Sequence, residues 1–239
     1  MLESIAVHVG LLLVPVLLSI TVHEWGHARV ALAYGDDTAK LLGRVSLNPL
    51  AHLDPIGAIG LFFGPLGWGK PVPVDPAKLR RWGSLAVALA GVSMNLLLAF
   101  TCAIVLDVLA IARVSPDFSS AEATPLSIGI FMLSLTMMTN IGLLLFNLLP
   151  LYPLDGHQVV RELLPWRQKT NFMDFQRRYG GAILGMLIFS SFMARREGGP
   201  SLLSFISKPM FPLCDLMLNR PAEVLFYGSL HRYMPYLQW

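Results

Sequence analysis

The sequence predicts an all-α polytopic membrane protein. It would have a core of three spanning helices, one to three further membrane segments, and a short membrane-associated β-hairpin or loop after the first helix. Three observations carry this. Of 239 residues, 54% are hydrophobic and 14% charged, where soluble domains carry about 25% charged residues. Mean hydropathy is +0.59. Apolar runs long enough to cross a bilayer recur at about 5–34, 84–112 and 125–149, with Gly, Pro and basic residues between them.

In the first run, only His8 between Ile5 and Val22 can carry charge. At about 1.5 Å per residue the run can cross a hydrocarbon core of about 30 Å. Pro15 is expected to kink it. Glu3, with no Lys or Arg before the run, argues against a signal peptide, so a first membrane helix is expected. Near its end stands His23-Glu24-Trp25-Gly26-His27. Residues four apart share a helix face, so His23 and His27 can meet one ion. Glu24 beside them can reach a water held there. This is the His-Glu-x-x-His arrangement of zinc hydrolases. The competing reading is two histidines satisfied in a helical core. Three ionisable side chains within one turn are expensive in lipid, which favours a functional site. Arg29 can snorkel to the nearby surface, and Gly35-Asp36-Asp37 ends the helix.

Residues 35–83 are different material. Asn48-Pro49, Asp54-Pro55, Gly64-Pro65 and Gly67-Trp68-Gly69 break short apolar pieces, none long enough to span as a helix. Turns with short strands, or a re-entrant loop on the membrane, are expected. Irregular backbone at that depth is tolerated where it lines a cavity, so this segment can wall a wet site. For His52 and Asp54 a surface turn suffices.

The second run, 84–112, holds Gly91 and Asn95 on one face, like the small-residue packing patterns of membrane helices. Asn95 needs a polar partner in lipid, either a neighbouring helix or the site and its substrate. Residues 113–124 form a short polar connection. The third run, 125–149, ends in Asn147-Leu148-Leu149-Pro150-Leu151-Tyr152-Pro153-Leu154-Asp155-Gly156-His157. The prolines must break the helix. Because each span reverses direction, Asp155-Gly156 arrives at the same membrane surface as His23 and His27. A carboxylate commonly completes a two-histidine zinc site, which makes Asp155 the candidate third ligand ahead of His157. A turn Asp without a ligand role is the alternative.

Residues 178–194 are expected to form a fourth span, completing a unit over 1–196. Residues 197–239, with Lys208, Pro209 and Pro212, read as a broken span or interfacial segment. Segment 35–83 carries six Lys or Arg, 158–178 five, 113–124 one. The positive-inside rule therefore places the two richer segments, and the candidate site, toward the cytoplasm. Cys102 and Cys214 lie in apolar runs and read as small buried hydrophobes. A net charge of +3 without a basic tract or a Gly-rich phosphate loop points to neither nucleic acid nor nucleotide.

These residues resemble the site-2 protease family of intramembrane zinc metalloproteases, in its compact prokaryotic branch. The resemblance rests on His23-Glu24-x-x-His27, on Asn147 to Asp155-Gly156, and on Gly91-x-x-x-Asn95. It also rests on Ser46-Leu47-Asn48-Pro49, Asp54-Pro55-Ile56-Gly57 and Gly67-Trp68-Gly69-Lys70-Pro71-Val72-Pro73. It covers roughly residues 5–190. It implies one Zn2+ per chain on His23, His27 and Asp155. Glu24 would be the base toward water and then the acid toward the leaving amine, and Asn147 would hydrogen-bond the oxyanion. The 35–83 segment, including Gly67, Trp68 and Gly69, would hold substrate as an added strand, with Asn95 nearby. It further implies a transmembrane-segment protein as substrate, the lipid bilayer as surroundings, and a prokaryotic inner membrane with the site toward the cytoplasm. No PDZ-like module is visible in 113–124. A metal-binding or transport protein, or an inactive binder of membrane segments, are the competing classes. Oligomeric state, physiological substrate and regulator are not encoded in these motifs.

Overall fold

A computed structural model describes residues 2–54, 69–112, 124–197 and 202–218. Among the described residues the chain is helical, with one isolated antiparallel bridge, Leu53 to Gly69. Helices α1 (Leu2–Ala33), α4 (Gly83–Ile111) and α5 (Pro125–Asn147) pack on one another as the core bundle. They are long and apolar enough to cross a membrane, α1 over Gly10–Ala33. Ser19, one turn after Pro15, donates its hydroxyl to the Pro15 carbonyl at 2.6 Å, a bond back to its own helix of the kind that bends helices.

The apolar centre joins Leu11 of α1, Ala99, Cys102, Ala103 and Leu106 of α4, and Ile130, Phe131, Leu135 and Ile141 of α5. Leu11 stands twelve residues before His23, so this core lies about 18 Å along α1 from the histidines. Between the two levels the bundle turns polar. Asn140 of α5 donates to Ser19 of α1 at 2.7 Å, an interhelical bond worth roughly 0.6 kcal/mol in a bilayer. Both cysteines are free and buried, as the apolar runs around them imply.

After α5 the chain turns through Leu148–Leu154 into the short helix α6 (Asp155–Leu163). Next come α7 (Trp166–Phe175), a π turn (Gln176–Gly180) and α8 (Gly181–Glu197). The expected fourth span, 178–194, falls within this helical stretch. Helix α9 (Leu202–Met217) packs on α5 and α8 despite Pro209 and Pro212, seating Cys214 in the apolar centre.

In the 35–83 segment the described residues form two single turns, α2 (Thr38–Leu41) and α3 (Pro49–His52), and a strip, Lys70–Asp75, laid against α1. Residues 55–68, with Gly67 and Trp68, lie outside the described set. The strip is pinned at both ends. Lys70 N donates to His52 O at 2.8 Å, and the Arg44 guanidinium donates to Lys70 O at 2.6 Å. Asp75 N donates to buried Asp36 at 2.7 Å. His52 is thus no surface turn residue; it is 1% exposed, with its ring against Ser46 O at 2.7 Å.

Burial alone would raise the Asp36 carboxyl. Hydrogen bonds from Thr38 and Asp75, with the charge of Lys78, outweigh it and hold the group below the usual carboxylate range. A carboxyl held low stabilises the fold above its unfolded value of about 3.9, and that contribution is lost as pH falls through the lower folded value. Asp36→Asn is expected to cost about 1–3 kcal/mol at neutral pH. The deficit should shrink in acid, as read from thermal melts of the two proteins across pH 3–7. An equal deficit at every pH would assign the loss to packing.

Candidate metal centre

The centre is assembled from three elements. Helix α1 presents His23 and His27 on one face, each 8% exposed. Helix α6 begins at Asp155, whose carboxylate meets both rings. Helix α4 passes beneath them at Gly91. His23 Nε2 and His27 Nε2 are 3.1 Å apart, and Asp155 Oδ2 lies 3.2 and 3.3 Å from them. Ligands about 2.0–2.1 Å from a tetrahedral ion sit roughly 3.3 Å from one another, so the donor set fits a zinc-sized cation.

The hydrogen bonding agrees. His27 Nδ1 lies 2.7 Å from Val87 O, which can only accept, so Nδ1 carries the hydrogen and Nε2 turns a lone pair into the cluster. His23 Nδ1 meets the side-chain amide of Asn95 at 3.2 Å. The amide nitrogen faces the ring as placed; turning the amide over gives the otherwise partnerless Oδ1 a donor in His23 Nδ1–H and leaves His23 Nε2 a lone pair. Asp155 Oδ2 is buried without a hydrogen-bond donor. That oxygen faces both Nε2 atoms, at 3.2 and 3.3 Å. A cation among these atoms satisfies all of them together.

The expected site residues take distinct places. His23, His27 and Asp155 come together. Glu24, next to His23, accepts from Val72 N at 2.9 Å. Gly69 lies against the same helix, where a Cβ would stand 3.9 Å from Glu24 Cγ. Asn95 is fully buried behind His23. Asn147 ends α5, its amide donating to Leu143 O of its own helix at 3.0 Å. His157 turns its ring back to Leu154 O, away from the cluster.

Other participants escape sequence reading. Gly91 resembles a packing glycine, yet a Cβ there would stand within 2.7 Å of His23 Nε2 and closer to His27. Its spacing to Asn95 was the visible signal, since Asn95 reaches the same ring. Val72 N and Val87 O are backbone groups, and no side-chain pattern announces them.

Two imidazoles and one carboxylate at ligand spacing, with a glutamate adjacent, define a membrane-embedded candidate metallohydrolase. Comparison with known proteins places it more narrowly. The model of peptidase family M50 matches residues 110–190, a stretch that includes Asn147 and Asp155. YwhC of Bacillus subtilis (strain 168), provisionally named a zinc metalloprotease, is 39% identical over 156 residues, covering 64% of this chain and 69% of that protein. Rip2 of Mycolicibacterium smegmatis, provisionally named likewise, is 32% identical over 147 residues, covering 59% of this chain and 52% of its own. Rip2 of Mycobacterium tuberculosis is 31% identical over 162 residues, and the chain spans 58% of it. No solved structure matches the chain. The chain belongs to peptidase family M50, the site-2 protease family, and is an integral membrane metalloprotease.

Proposed function

We propose that the chain is an intramembrane zinc endopeptidase, hydrolysing peptide bonds in or near transmembrane segments of membrane proteins. The observation that carries this is the buried convergence of His23 Nε2, His27 Nε2 and Asp155 Oδ2 at the end of a membrane-spanning helix. These three residues would hold one Zn2+ per chain, the metal named for the relatives. When bound, zinc polarises the scissile carbonyl and lowers the pKa of water.

The chain's own residues do the rest. Glu24 takes the proton from the attacking water as the new C–O bond forms, then delivers it to the amine as the C–N bond breaks. Val72 N–H fixes this carboxylate by Oε2 and leaves the other oxygen for proton transfer. Asn147, turned from Leu143 O, donates to the developing oxyanion. Val87 O orients His27 and Asn95 orients His23, which sets both rings for the ion. The buried place of Asn95 supports that role over substrate contact. Gly69, beside Glu24, would border the path of an extended substrate segment. The basic residues of 35–83 and 158–178 support an inner-membrane setting with the site toward the cytoplasm.

The test is Asp155→Ala purified in detergent. Bound zinc is expected to fall well below one per chain, and cleavage of a model membrane substrate with it. Full zinc occupancy would move the third ligand elsewhere.

A further inference from the structure

Gln176 opens the π turn and is 3% exposed. Its Oε1 accepts from Tyr152 N at 2.8 Å, and its Nε2 donates to Pro150 O at 2.8 Å. Both partners belong to the loop that ends at Asp155. The rest of that loop is closed on itself: Leu151 N donates to Leu149 O, and Leu154 N to Leu151 O, each at 2.8 Å. Gly156 follows, with its Cα face against the carbonyls of Leu148 and Leu149, where a Cβ has no room. Gly180, at the far end of the π turn, closes against the same amide. A Cβ on it would stand 2.6 Å from Gln176 Oε1 and 2.9 Å from Tyr152 Cβ.

The loop crosses from α5 to α6 with Pro150 and Pro153 inside it, so helix hydrogen bonding cannot hold it. Its free N–H and C=O need partners at a membrane surface. One primary amide supplies a donor and an acceptor together, and glutamine supplies them with the longer reach. None of these bonds involves His23, His27 or Asp155.

We infer that Gln176 is a positioning residue for Asp155: its amide clamps the Pro150–Tyr152 loop against the π turn and so sets where the third metal ligand stands. The inference rests on the metal-centre reading above. Outer partners of metal ligands typically govern affinity by about 10- to 100-fold, and the clamp acts through a loop in the same way.

The experiment uses the full chain in detergent, stripped with a chelator. Zn2+ affinity is measured by competition with a chromophoric chelator, and ligand geometry by the visible spectrum of Co2+ in its place. Gln176→Leu, which loses both bonds, is expected to bind Zn2+ about 10- to 100-fold more weakly, with an altered Co2+ band. Gln176→Glu keeps the acceptor for Tyr152 N, loses the donor to Pro150 O, and should fall between. On an Asp155→Ala background, Gln176→Leu should cost no further affinity, because its effect passes through that carboxylate. Equal fold-losses in the two backgrounds overturn the inference. Unchanged affinity in Gln176→Leu beside a weakened Asp155→Ala overturns the clamp and leaves the metal centre standing. Undiminished Zn2+ binding by Asp155→Ala overturns both. Should Gln176→Leu fail to fold, the same comparisons are made with Gln176→Glu, whose unchanged affinity and Co2+ spectrum would equally overturn the clamp.

Discussion

Glu24→Gln is expected to keep the fold and full zinc occupancy while losing about 100- to 10,000-fold in cleavage of a membrane substrate, the usual contribution of a positioned acid–base group. Glutamine retains an oxygen for Val72 N–H, so the strip should stay in place. What it removes is the ability to take up and release a proton. The measurement pairs zinc content with initial cleavage rates in the same preparation. Wild-type rates with one zinc bound would sink the proposed mechanism. This variant also separates the hydrolase from a transport site: proton transfer by Glu24 is needed for bond cleavage, whereas metal transit through His23, His27 and Asp155 does not require it.

Gly91→Ala is expected to weaken metal binding by about ten- to a hundredfold without unfolding the bundle. The added methyl enters the space beside both Nε2 atoms, and neither ring can retreat freely. His27 is tethered to Val87 O at 2.7 Å and His23 to Asn95 at 3.2 Å. Overpacking of this kind costs about 1–3 kcal/mol, which here falls on the geometry of the ligands. Zn2+ competition titrations of the purified variant would show it. Equal affinity would mean that α4 shifts to make room. The control is Gly185→Ala inside α8, where a Cβ meets nothing within 4 Å: affinity should not change, and the helix should gain about 0.5–1 kcal/mol.

The parts of this molecule that were legible in its sequence obey simple geometric rules. His23 and His27 are four apart on one helix, so their shared face follows from the helical repeat. Asp155 follows from counting spans, because the chain must return to the first surface after three crossings. The three core helices follow from length and composition. What stayed hidden are contacts made through the backbone or across distant segments. His52 reads as a turn residue, yet its carbonyl and ring anchor Lys70 and Ser46. Gln176 sits amid basic residues and shows no pattern, although its amide spans two residues of a loop more than twenty positions earlier. Gly91 displays a helix-packing signature, and only the placement of the rings reveals it as the floor of the cluster.

The strip beside Glu24 has a consequence for how this protein tolerates change. The donor that steadies the carboxylate is the amide of Val72, which every residue type but proline carries. Replacing the valine side chain leaves that donor where it is. Its neighbours, Pro71 and Pro73, already lack an N–H, so the sequence alternates between positions without a donor and positions that have one. A scan that swaps side chains one by one would pass over this contact in silence. Its inheritance depends on the path of the main chain, and a slip of the strip by one residue would set a proline, with nothing to donate, against Glu24.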